Sequence, residues 1–109
     1  MIVIMMEPMK PAEIKEIDGS LKGMQKIVGG SIELYCPFKT ESIGIIVNEE
    51  GKINYLPQNR MVMINNRVAD VLCGTAFIVG LGDDGEFADL TDDQIKQWLP
   101  KIKTLAIWC

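Results

Sequence analysis

The chain opens on an uninterrupted apolar run, Ile2-Val3-Ile4-Met5, which Glu7-Pro8-Met9-Lys10-Pro11 closes. Proline cannot donate to a sheet ladder, so the pattern predicts a buried strand over 2–5 that ends in a turn. Residues 12–17 alternate approximately and predict a half-exposed second strand, hence an N-terminal hairpin. Asp18-Gly19-Ser20 then offers an N-cap, Leu21, Met24, Ile27 and Val28 recur at helical spacing, and Gly29-Gly30 stops the run. A first helix over 20–28 results. Its one apolar stripe needs a sheet to cover.

Residues 32–35 and 43–47 are rich in β-branched and aromatic side chains and suit a loose hairpin. Glu49-Glu50-Gly51-Lys52 reads as a tight turn leading into a further strand over 53–56, and Asn65-Asn66 marks another turn. Short apolar strands follow over 68–72 and 76–81, separated by Cys73-Gly74-Thr75, where glycine permits a bulge or a close backbone approach. Thr91 with Gln94 three residues on is a capping box, so a second helix runs over 92–99 and ends at Pro100. The apolar tail Leu105-Ala106-Ile107-Trp108-Cys109 would be costly to leave in water. It predicts a homodimer or higher homo-oligomer with Trp108 in or near the contact. The fold class is α+β: a single two-layer domain over 1–109, a mainly antiparallel sheet of roughly five to seven short strands with two packed helices.

Composition narrows the function classes. The chain has 109 residues, 48% hydrophobic and 24% charged, which suits one soluble globular domain. A net charge of -4, with Arg60 and Arg67 as the two arginines and the lysines scattered, leaves no basic stripe for nucleic acid. Cys36, Cys73 and Cys109 form no C-x-x-C pair, so neither a disulfide framework nor a metal site is signalled, and a reducing cytoplasm is the expected location. The apolar start is broken by Glu7 and Pro8, too early for a signal peptide or a membrane span. No cofactor is implied.

Among candidate binding residues Arg60 stands first. Pro57 and Asn59 should hold it in a turn, where its planar fork suits a carboxylate or phosphate; the structural alternative is a salt bridge to Glu49, Glu50 or Asp70. Asn48 and Asn59 could orient a polar ligand, although asparagine in a turn more often bonds its own backbone. Gly74-Thr75 could bring N–H groups and a hydroxyl to an anion, or could simply be a bulge. Cys73 has no histidine in the chain to act as its base, and the acidic run 83–93 does not match an EF-hand loop. No catalytic residue is assigned.

In order, Glu16-Ile17-Asp18-Gly19-Ser20-Leu21, Val28-Gly29-Gly30, Ile32-Glu33, Asn48-Glu49-Glu50-Gly51-Lys52, Leu56-Pro57 with Asn59-Arg60, and Gly74-Thr75-Ala76-Phe77-Ile78-Val79-Gly80 make a set. With the acidic loop and capping box up to Trp98, it resembles a family of small phage and bacterial proteins, domain of unknown function 3846. The tail after Lys103 departs from that pattern. The resemblance implies a phage or mobile-element setting, which for a phage-encoded chain means the host cytoplasm, and carries no settled activity.

The expectation is therefore a non-catalytic protein that binds and sequesters a small polar or anionic ligand, with a nucleotide-like immune signal as the candidate, in a pocket built from Asn48, Asn59, Arg60, Gly74 and Thr75. The alternative is a protein-binding antagonist or mild DNA mimic that uses the acidic segment 83–93; its modest charge weakens it. An enzyme ranks third, because without histidine Glu49 or Glu50 with Arg60 would have to carry the chemistry.

Overall fold

The run Ala76-Phe77-Ile78-Val79-Gly80-Leu81 contains no polar side chain, and a strand of that composition must be covered on both faces. The structure, a computed structural model, describes residues 1–38 and 41–109 and satisfies this demand. In chain order the elements are β1 (Ile2–Met6), β2 (Glu13–Glu16), α1 (Leu21–Val28), β3 (Ile32–Tyr35), β4 (Ile43–Asn48), β5 (Gln58–Ile64), β6 (Arg67–Cys73), β7 (Ala76–Leu81), β8 (Phe87–Ala88), α2 (Asp92–Trp98) and β9 (Ala106–Trp108), with a 3-10 turn Leu99–Lys101 after α2.

The central sheet is antiparallel, in the order β2-β1-β7-β4-β3. Gly80 of β7 faces both Ile43 of β4 and Ala88 of β8, so β8 continues the edge that β1 begins. Side chains alternate across the sheet. Val3, Met5, Ile46, Phe77 and Val79 therefore meet Met24 and Val28 of α1 on one face. Ile4, Met6, Ile43, Ile45 and Ile78 face the other way, onto Val62, Leu72, Trp98 and Ile107. The α+β class and the antiparallel pairing stand as the pattern predicts. The strands divide into two sheets, and the helices lie on opposite faces of the central one, because β7 is apolar on both sides.

Both helices end where their caps place them. Ser20 accepts from the Gly23 N–H at the start of α1, and Gly29 closes it in the left-handed region at φ 81°. Thr91 and Gln94 form the reciprocal capping box of α2, with Asp92 and Asp93 in its first turn.

The second sheet has the order β6-β5-β9. Asn65 and Asn66 connect β5 to β6 with φ of 52° and 61°, the two left-handed positions of a two-residue hairpin. No strand forms over 53–56. There Asn54 N–H bonds Glu50 O and Leu56 N–H bonds Gly51 O, so the backbone is satisfied locally, and Ile53 and Tyr55 are 72% and 92% exposed. A segment that spends the N–H groups of Asn54, Tyr55 and Leu56 locally and turns Ile53 and Tyr55 to solvent gains little from a ladder. Gly51 is required at this turn, since a Cβ there would sit 2.7 Å from the Cys73 carbonyl oxygen.

The C-terminal tail docks within the chain. As β9 it pairs in parallel with β5, Met61 opposite Ala106 and Val62 opposite Ile107, and buries Ala106 and Ile107 while Leu105 and Trp108 stay exposed. Ile107→Ala should lower stability by about 2–5 kcal/mol, the cost of a cavity at a fully buried site. Leu105→Ala, at an exposed position, should stay within about 0.5 kcal/mol. Denaturant unfolding of the two variants checks the difference, and equal midpoints would mean that the tail is not docked in this register.

Candidate functional site

Regular alternation would place the β5 neighbours Asn59 and Arg60 on opposite faces, yet both are buried and their side chains bond each other. A register shift between Gln58 and Met61 against β6 removes the alternation and turns both side chains inward. Asn59 Nδ2 donates to the carbonyls of Met6 at 2.9 Å and Gly74 at 2.8 Å, and its Oδ1 accepts from Arg60 at 2.6 Å. The guanidinium then donates to Lys103 O at 2.7 Å, Glu7 O at 3.2 Å and Lys10 O at 2.6 Å. Arg60 is 1% exposed, and burial pulls its pKa below the ordinary guanidinium value.

Two expectations about Arg60 are corrected here. It lies on a strand rather than in a turn, and it pairs with none of Glu49, Glu50 or Asp70; Asp70 instead holds Lys52. Its fork is spent on main-chain oxygens. The other candidate residues divide between places. Asn48 donates to Val28 O at 3.1 Å and accepts from the Glu50 N–H at 2.7 Å, so it ties the end of α1 to the turn after β4. Gly74, at φ 84°, donates its N–H to Pro57 O at 2.7 Å and has its carbonyl taken by Asn59. Thr75 is half-buried beside it, with no side-chain hydrogen bond among the described residues. The structure thus brings Asn59, Arg60 and Gly74 into one network and leaves Asn48 in another.

Asn48 does line a cleft. A hollow of about 120 Å³ lies at the seam between β3–β4 and β6, bordered by Glu33, Tyr35, Asn48, Lys52, Asp70 and Cys73. Burial, and then the charge of Asp70, push the Tyr35 phenol above its usual range, so its hydroxyl keeps its proton as a donor. The hydrogen bond to Asp70, followed by that residue's charge, raises the Lys52 ammonium. Sequence reasoning passed over Tyr35, Lys52 and Asp70. The signal present was the strand period that puts Glu33 and Tyr35 on one face of β3, but nothing local brings β6 beside them.

A second cleft of about 280 Å³ is lined by Phe38, Glu41, Ile64, Gln97, Trp98 and Lys101, among others. Phe38 meets the indole edge-on, ring centroids 4.6 Å apart, and Lys101 Nζ lies 4.4 Å from the indole centroid. Trp98 Nε1 is buried without an acceptor among the described residues, which costs about 1–3 kcal/mol.

The acidic segment is occupied with structural work. Asp84 accepts from the Glu86 N–H, Asp89 from the Ile2 N–H, and Asp92 and Asp93 sit at the start of α2. Among the described residues no three His, Cys, Asp or Glu side chains gather as metal ligands, and Cys36, Cys73 and Cys109 are free thiols. No described helix is long and apolar enough to cross a membrane.

A family model described as domain of unknown function (DUF3846) matches residues 1–103. The chain belongs to that family. No curated protein and no solved structure matches it. The DUF3846 match takes in Asn59 and Arg60 and ends at Lys103, the residue whose carbonyl receives Arg60 Nε, so β9 lies outside it. The family description assigns no catalytic activity.

Replacing Arg60 with methionine should keep the volume filled but strand the carbonyls of Glu7, Lys10 and Lys103. A loss of about 3 kcal/mol is expected, since each bond to a charged donor contributes about 1.5–3 kcal/mol. That corresponds to a fall in Tm of roughly 12–24 °C. Arg60→Lys should regain only part, because one ammonium cannot reach the oxygens a fork spans. Calorimetry on both variants measures this, and an unchanged Tm in Arg60→Met would remove the network from any structural role.

Proposed function

We propose that this DUF3846 domain is a non-catalytic binding protein that takes the polar end of a small ligand into the cleft between β3–β4 and β6. The observation that carries the reading is the gathering there of Tyr35, the Lys52–Asp70 pair and Glu33 around a hollow of about 120 Å³. That volume is well below the roughly 300 Å³ at which drug-sized pockets begin, so the cleft suits one functional group rather than a whole nucleotide. Its charge balance favours donors over anions: Glu33, Glu49 and Asp70 face the one cation, Lys52. A phosphate would be repelled, and Arg60, the natural phosphate anchor, is engaged elsewhere. An amine- or amide-bearing small molecule is the class that fits.

Binding without turnover accords with the residue set. The chain has no histidine, Cys73 therefore has no imidazole base, and Tyr35 holds its proton. In a phage or mobile element such a protein would act by withdrawing its ligand from the host's pool. A homodimer remains part of the proposal on narrower ground than the whole tail, namely that Met61, Leu105 and Trp108 stay exposed at or beside β9.

Chemical-shift titration with small amines, amides and phosphates tests the binding reading. Amines should move the backbone signals of Tyr35, Lys52 and Asp70, and Asp70→Asn should weaken them about tenfold or more, matching loss of roughly 1.4 kcal/mol or more from a charged hydrogen bond. Shifts confined to phosphate compounds, or none at these residues, would overturn it. Light scattering tests the dimer. A dimeric mass that falls to the monomer in Trp108→Ala is expected, and a monomeric wild type ends the idea.

A further inference from the structure

Lys52 belongs to two hollows at once. Its ammonium holds Asp70 at the cleft between β3–β4 and β6, and its side chain also borders a groove of about 350 Å³ whose other walls are Tyr55, Leu56, Gln58, Val71 and Cys73. Val71 and Cys73 line both hollows, so groove and cleft adjoin around the edge strand β6. Among the described residues Lys52 is the one charged wall of the groove. An unbranched alkyl chain ending in an ammonium therefore already joins the groove to Asp70.

We propose that Lys52 is a built-in stand-in for the ligand: the site takes a primary alkyl- or arylalkylammonium, which displaces the Lys52 ammonium from Asp70 and lays its apolar chain in the adjoining groove against Leu56 and Val71. This deepens the ligand uptake proposed above and rests on it.

The exchange strands no charge. Asp70 gives up one ammonium for another, and Lys52, which is exposed, passes to water. An ion pair at such a place contributes little, so the seat is held without being locked. A neutral amide cannot replace the cation, and an anion would meet Glu33, Glu49 and Asp70, so the amine is the head group the exchange selects. The groove selects the body. Leu56 and Val71 offer apolar contact, and each methylene buried there should tighten binding by up to about fourfold. Tyr55 stands beside it, 92% exposed on a backbone at φ 54°. Left-handed backbone is costly for an aromatic residue, and strain of this kind clusters at ligand clamps.

Calorimetric and chemical-shift titrations of the full chain at neutral pH test the proposal, with methylamine, propylamine, pentylamine and phenethylamine as probes and pentanamide and pentanoate as neutral and anionic counterparts. Pentylammonium should bind about tenfold or more tightly than methylammonium, and about tenfold or more tightly than pentanamide or pentanoate. Lys52→Ala, at an exposed position that leaves the fold intact, vacates the seat and should tighten pentylammonium about threefold or more, whereas Asp70→Asn should weaken it about tenfold. Unchanged or weaker binding in Lys52→Ala overturns the proposal, as does an affinity that ignores chain length. Should amines still move Tyr35 and Asp70 in either of those cases, ligand uptake in the cleft stands and only the displacement of Lys52 falls. No amine-induced shift at these residues removes both.

Discussion

A buried guanidinium without a carboxylate partner is the interaction on which the two-sheet arrangement turns. Through Asn59 and Arg60, β5 is bonded to Met6 at the end of β1, to Gly74 at the entry to β7, and to the main chain at Glu7, Lys10 and Lys103. Apolar packing between the sheets is non-directional and would tolerate sliding. Hydrogen bonds to fixed carbonyls do not. The charge is kept in a desolvated place because partial negative charges on several oxygens replace its water, which also explains why no acidic residue is needed beside it.

Local chemistry was legible in the sequence, and long-range chemistry was not. The capping box at Thr91, the glycine stop at Gly29 and the Asn65-Asn66 hairpin each depend on residues a few positions apart, so they could be read directly. Arg60 was misplaced because Leu56-Pro57 beside Asn59 looks like a turn, while the oxygens that decide its position belong to residues about half the chain away and carry no side-chain signature. The strand expected over 53–56 failed for a related reason: its residues are β-prone, but no neighbouring strand offered them a covered face. The tail read as surplus because the pairing edge on β5 that accepts it cannot be seen in a linear pattern.

The same architecture explains where clefts appear. Covering a central sheet on both faces fills its middle, and the gaps fall at the margins where a second sheet or helix stops short. One gap, beside β3 and β6, inherits charged residues because exposed strand edges carry them. The other, beside α2, inherits aromatic rings from the core it adjoins. Their chemical difference follows from their positions relative to the core.

The clamp also has a bearing on time as well as on free energy. The main-chain oxygens that Arg60 bonds lie 43 to 53 residues away in both directions along the chain, so it cannot close until both ends of the domain have been gathered. Contacts that form after the barrier leave the folding rate almost unchanged and slow the escape from the native state instead. The guanidinium should therefore act as a latch, its effect concentrated in the unfolding limb of a denaturant chevron, and a matching effect on the folding limb would place it in the nucleus. A protein built this way resists brief opening of its ends, the opening that proteases exploit.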